Sequence, residues 1–76
     1  NLTELYLYGN DLTELPAEIC QLQNLTSLDL TKNQLQKLPA EIANLKKLER
    51  LYISRNDFSE DYRRELKKSM PWCRIW

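Results

Sequence analysis

Eight side chains carry the chemistry this 76-residue chain could offer a partner: Tyr6, Tyr8, Asp29, Lys32, Tyr52, Arg55, Arg74 and Trp76. Spacing joins them. Tyr6, Asp29 and Tyr52 stand 23 positions apart, and Lys32 and Arg55 repeat the same interval. A carboxylate between two phenols raises the question of acid–base work, which needs groups within hydrogen-bond reach of one substrate. The rest of the chain does not support it. There is no His, no Gly-rich phosphate loop and no nucleophile set beside a base. Solvation of a lone carboxylate by its neighbours explains Asp29 better. Cys20 and Cys73 lack metal-ligand spacing and are too few for a disulfide framework. What remains is a set of aromatic rings and planar cations. These types dominate protein–protein contacts, because they offer large rigid area or bidentate donors. The expectation is non-catalytic recognition with no cofactor and no metal.

The same interval governs the apolar residues. Leu-x-x-Leu-x-Leu-x-x-Asn-x-Leu occurs as Leu2, Leu5, Leu7, Asn10, Leu12 and again as Leu25, Leu28, Leu30, Asn33, Leu35. A third copy runs Leu48, Leu51, Ile53, Asn56, with Phe58 in the last slot. A fixed period of this size means stacked units rather than one globule with a unique core. Stacked units present extended surfaces, and such surfaces bind things.

Each unit has two parts. Leu5-Tyr6-Leu7, Leu28-Asp29-Leu30 and Leu51-Tyr52-Ile53 alternate apolar and polar, as a strand with one buried face does. Strands repeating in the same direction form a parallel sheet, so every unit needs a return segment. The returns are residues 12–23 and 35–46, and both contain Leu-Pro-Ala-Glu-Ile. Pro16 and Pro39 lack an amide hydrogen and suit the start of short helical turns, expected at Ala17–Leu22 and Ala40–Leu45. The Asn column marks the sharp turn after each strand. An amide side chain both donates and accepts, so it can satisfy backbone on neighbouring turns.

After Asn56 the pattern changes. Phe58, Tyr62, Leu66 and Met70 fall four apart, the apolar stripe of an amphipathic helix. Ser59 is the expected N-cap, with Asp57 as its competitor. Glu60 and Asp61 at the start and Lys67 and Lys68 at the end match the helix dipole. Pro71 stops the helix, and Trp72–Trp76 alternates again as a closing strand with Cys73 and Ile75 inward.

These residues resemble the leucine-rich repeat family, in its 23-residue subtype with Leu-Pro-x-x-Ile. The resemblance covers residues 1–58, divided as 1–23, 24–46 and a partial 47–58. Residues 59–76 resemble the C-terminal caps of bacterial members. The resemblance implies an α/β fold: a right-handed solenoid with its parallel sheet on the concave face and a helix plus strand as cap. It also implies a protein partner on that face. Alternatives are carbohydrate stacking on the exposed aromatics, or a purely architectural role as the end of a longer solenoid.

Alternation sorts the face into columns. The outermost holds Glu4, Ser27, Arg50 and Trp72. The central holds Tyr6, Asp29, Tyr52 and Arg74. The third holds Tyr8, Thr31, Ser54 and Trp76, with Gly9, Lys32 and Arg55 beyond it.

Charge is segregated along the stack. Residues 1–23 sum to −4, residues 24–46 to +1 and residues 47–76 to +3. The basic end mixes both signs, which does not favour nucleic acid. No apolar run nears the roughly 20 residues a membrane span needs. Asn1-Leu2-Thr3 and Asn24-Leu25-Thr26 fit a glycosylation pattern, but they recur only because the repeat does. The chain opens at Asn1 already in phase and with nothing to cover Leu2, Leu5, Leu7 and Leu12. The expectation is a segment of a longer stack, or an open end that self-associates.

Overall fold

A computed structural model of the chain describes residues 2–76, so the first of the two glycosylation-type triplets begins outside the described residues. Four strands form one sheet in the order β1-β2-β3-β4. They are β1 (Glu4–Tyr6), β2 (Ser27–Asp29), β3 (Arg50–Tyr52) and β4 (Arg74–Ile75). All three pairings are parallel. Each of the first three strands begins one residue before the expected alternating triplet, whereas β4 is shorter than the expected Trp72–Trp76. The side chains facing the interior are unchanged, because the sheet hydrogen bonds run on past the strand ends. Leu7 N–H donates to the Asp29 carbonyl at 2.8 Å, and Leu30 N–H to the Tyr52 carbonyl at 2.8 Å.

The first three strands keep a strict register. Leu5 pairs with Leu28 and Leu28 with Leu51. Leu25, Leu28, Leu30, Leu35, Leu45, Leu48, Leu51, Ile53 and Met70 are all below 2% exposure. At about 1.5–3 kcal/mol for each fully buried aliphatic side chain, this stripe is the main stabilising term. The first repeat contributes less: Leu5, Leu7 and Leu12 are half-buried, and Leu2 is exposed.

The return segments close tightly. Residues Ala17–Gln21 and Ala40–Asn44 form 3-10 turns, each ending one residue earlier than expected. A 3-10 turn rises further per residue than an α-helix, so five residues bring the chain back across the stack. Pro16 and Pro39 stand one position before these turns, with φ of −61° and −56°. Their carbonyls accept from Ile19 and Ile42 N–H at 3.1 and 3.0 Å.

The asparagines bridge neighbouring repeats. Asn33 Oδ1 accepts from Asn10 N–H and Leu12 N–H, both at 2.9 Å. Its Nδ2 donates to the Leu7 carbonyl at 2.8 Å and the Leu30 carbonyl at 3.0 Å. Asn56 accepts from Leu35 N–H and donates to the Leu30 and Ile53 carbonyls. Each amide thus reaches back to the preceding repeat. Among the described residues the Asn10 side chain makes only a long contact, 3.4 Å from its Nδ2 to the Tyr8 carbonyl.

Beside each asparagine the backbone takes a left-handed conformation. Gly9, Lys32 and Arg55 occupy equivalent turn positions with φ of 68°, 61° and 58°. Glycine adopts this region freely, whereas a side chain with a Cβ is penalised there.

The segment after Asn56 is the α-helix α1 (Glu60–Ser69). Ser59 is its N-cap, and its Oγ accepts from Tyr62 N–H at 3.1 Å. Asp57 lies outside the helix. Leu66 and Met70 join the core, and Phe58 and Tyr62 pack against it with their rings stacked at 5.4 Å. The Tyr62 hydroxyl accepts from Leu38 N–H at 2.7 Å, tying α1 to the second return. Cys20 is buried in the slot where the second repeat has half-buried Ala43, and both cysteines are free thiols.

Two outcomes follow for stability. Asn33→Leu strands the Asn10 and Leu12 N–H groups and the Leu7 carbonyl, while Leu30 keeps its donor from Asn56, and it should cost about 2–3 kcal/mol in urea denaturation. Asn10→Leu should cost under about 1 kcal/mol, since its amide serves no preceding repeat. Equal losses in the two variants would contradict the ladder. Arg55→Gly should stabilise the chain by about 1 kcal/mol, because it relieves the left-handed strain. A lower unfolding midpoint in that variant would contradict it.

Candidate functional site

The solvent face of the sheet is made of alternate strand residues, lifted off the core by the leucines between them. Glu4, Ser27, Arg50 and Arg74 stand in one row by direct pairing. Tyr6, Asp29 and Tyr52 form the next. Trp76 completes that second row. Its ring lies on Tyr52 with centroids 4.8 Å apart and planes within 10°. Its N–H donates to the Leu51 carbonyl at 2.9 Å, and its carbonyl accepts from Ile53 N–H at 2.6 Å.

This arrangement corrects the expected columns. Counting placed Arg74 beside Tyr52, Trp72 beside Arg50 and Trp76 beside Ser54. The observed pairing is Arg50 with Arg74 and Leu51 with Ile75, a shift of two residues. The cause is α1. It replaces a 3-10 turn as the return between β3 and β4, so the period no longer fixes the register. A shift of two preserves alternation, and Cys73 and Ile75 still pack half-buried against the core. Trp72 falls outside the sheet, where Lys46 Nζ sits 4.3 Å from its ring centroid.

The other residues are fixed by short-range bonds. Asp29 Oδ1 accepts from Thr31 N–H at 2.9 Å, so this carboxylate is tied to its own strand. That is a backbone role, where the sequence suggested solvation by neighbours. The Tyr6 hydroxyl donates to Glu4 Oε1 at 3.0 Å. This bond raises the Tyr6 pKa, with burial adding to the effect, and keeps the phenol protonated. Tyr8 is 54% exposed, and Lys32 Nζ lies 5.7 Å from its ring centroid. Arg55 is exposed at the turn beyond β3.

The structure therefore brings Tyr6, Asp29, Tyr52 and Trp76 into one row and sets Lys32 against Tyr8. Arg74 leaves the row assigned to it and joins Arg50, which sequence reasoning placed in a column without selecting it. The signal was present: Arg50 follows Ser27 by 23 positions on the exposed side of a strand.

Charge on this face is uneven. Lys32, Arg50, Arg55 and Arg74 oppose Glu4 and Asp29. The Arg50 guanidinium has Glu49 at 3.8 Å, both well exposed, which is a weak pair. Arg74 takes part in no salt bridge among the described residues. Among those residues no cluster could hold a metal ion, and no helix is long and apolar enough to cross a membrane. A crevice of about 350 Å³ lies off the sheet, between the two return segments, lined by residues such as Leu15, Gln36 and Pro39.

Comparison with known proteins agrees with this architecture. The leucine-rich repeat family model matches residues 1–58. No curated protein matches the chain. A solved leucine-rich repeat protein from Leptospira interrogans is similar, with a TM-score of 0.71 and 36% identity. The match covers 99% of this chain but 25% of that one, so the chain spans a quarter of its length. With the family model covering the strands, the asparagine turns and the returns of residues 1–58, the chain belongs to the leucine-rich repeat family.

Proposed function

We propose that the chain is a non-catalytic recognition module that binds a protein partner on the concave face of its sheet. One observation carries this reading: large aromatic side chains stand exposed on a surface that the core holds still. Tyr6 is 60% exposed and Trp76 43%, on a sheet whose central leucines, Leu28, Leu30 and Leu51, are at 0%. Hydrophobic side chains of this size are normally buried, and exposed in a row they mark contact surfaces. Rigid backing lowers the entropy lost on binding. Members of this family are in general recognition modules rather than catalysts.

The contact residues of this reading are Tyr6, Tyr8, Asp29, Lys32, Tyr52, Arg55, Arg74 and Trp76. Lys32 and Arg55 add a further reason. Both hold a strained backbone where the first repeat uses Gly9. Strain retained in exposed side chains is typical of residues kept for what they touch.

The thiols fit the same reading. Burial pushes the Cys73 pKa up to about 11 and raises that of Cys20 as well. Both stay protonated at neutral pH and are poor nucleophiles.

Two experiments test the proposal. Tyr6→Ala combined with Tyr52→Ala should weaken a protein captured by the wild-type chain at least about thirtyfold. It should cost no more than about 1.5 kcal/mol in stability. Glu18→Ala with Glu41→Ala, on the return segments, should bind normally. Equal loss in the glutamate variant would move recognition off the sheet, and loss of fold in the tyrosine variant would move these tyrosines from contact to structure. In the second experiment, iodoacetamide labelling of Cys73 at pH 7.4 should be roughly a hundredfold slower in the folded than in the unfolded chain. Fast labelling of the folded chain would identify an activated thiol and reopen a catalytic reading.

A further inference from the structure

The β4 end of the sheet combines three features that the repeats before it lack. First, Arg50 and Arg74 are direct cross-strand neighbours. Like charges placed this way repel each other unless a counter-charge is supplied. This chain supplies little: Glu49 sits at 3.8 Å from Arg50 in an exposed position, and Arg74 has no salt bridge among the described residues. Second, the stacked Tyr52 and Trp76 rings lie one step further along the same two strands. Third, a hollow of about 480 Å³ opens beside β4, lined by Lys67, Pro71, Cys73, Arg74, Ile75 and Trp76. Its lining holds two cationic side chains, Lys67 and Arg74, and no acidic side chain.

We propose that this end of the face binds an acidic segment of a partner protein. The segment's carboxylates sit on the Arg50–Arg74 pair, and an apolar side chain sits on the Tyr52–Trp76 stack. The inference rests on the recognition reading above and names its partner chemistry. Guanidinium groups match carboxylates with two parallel hydrogen bonds, which a point charge cannot do. A carboxylate shared by two arginines also removes their mutual repulsion, so the gain is larger than for one pair. The ring stack supplies the apolar anchor that makes an ionic contact selective. The first half of the face cannot do the same, since Glu4 and Asp29 stand there in the corresponding rows.

The test is a titration of the 76-residue chain followed by amide and indole NMR shifts, with three acetylated, amidated pentapeptides: Glu-Glu-Phe-Glu-Glu, Gln-Gln-Phe-Gln-Gln and Lys-Lys-Phe-Lys-Lys. The Glu peptide should move the signals of Arg50, Tyr52, Arg74 and Trp76. It should bind at least about tenfold tighter than the Gln peptide and lose that advantage at high salt. Arg74→Glu, at an exposed site, should reverse the preference toward the Lys peptide. Arg50→Lys with Arg74→Lys should leave an intermediate affinity, because charge is kept and the paired donors are lost. Equal shifts at these residues from the Glu and Gln peptides would overturn the acidic preference while leaving recognition on the face intact. Shifts confined to α1 or the return segments, with none at Tyr6, Tyr8 or Tyr52, would overturn both. Binding to anionic vesicles or an oligonucleotide with no response to the Glu peptide would overturn the assignment of a protein segment.

Discussion

Each turn of this stack leaves backbone groups that only its neighbour can satisfy. The strand must end, reverse and return within 23 residues, and the reversal buries N–H and carbonyl groups beyond the reach of the sheet. Asn33 answers this with four hydrogen bonds, two accepted and two donated, three of them across the repeat boundary. No apolar side chain could do so, and Asp could only accept. The rest follows from that bridge. It fixes the spacing of successive turns, which fixes the register of the strands, which sets leucine over leucine. The core is therefore a consequence of polar satisfaction as much as of apolar burial.

A ladder of this kind also frees the other face of the sheet. Register and core are decided by the Asn and Leu columns, so the residues between them have no structural task beyond tolerating a strand. Tyr, Asp, Arg and Trp can occupy those positions without disturbing the stack. The turn positions beside the asparagines show the same freedom under strain. Gly9 fits its left-handed backbone, whereas Lys32 and Arg55 hold theirs against a Cβ penalty. The bridging asparagines next to them hold the turn in place.

Much of this was legible in the residues. The period located the strands to within one position, because alternation survives a one-residue change in where pairing begins. The Pro-led returns and the Ser59-capped helix followed from local chemistry, and Ser59 prevailed over Asp57 as N-cap. The left-handed turns were less visible. Gly9 signalled them, but Lys32 and Arg55 at the same position masked the requirement. The register of β4 was not legible at all. Cys73-Arg74-Ile75 fits beside Leu51-Tyr52-Ile53 as well as beside Glu49-Arg50-Leu51, since both keep the apolar residues inward. Only the length taken up by α1 and the turn after it decides between them, and no count of repeats contains that length.

That undecided register is where the chemistry of the face is set. Had β4 followed the expected alignment, Arg74 would stand between Tyr52 and the sheet edge, and Trp76 would lie beside Ser54. The basic and aromatic groups would then alternate singly. The observed shift doubles the arginines in one row and brings Trp76 onto Tyr52 in the next. A paired cation and a paired ring system arise together from one structural cause, the replacement of a five-residue turn by a ten-residue helix. The repeats make the surface regular and stable. The element that interrupts them gives one end of that surface a chemical identity distinct from the rest.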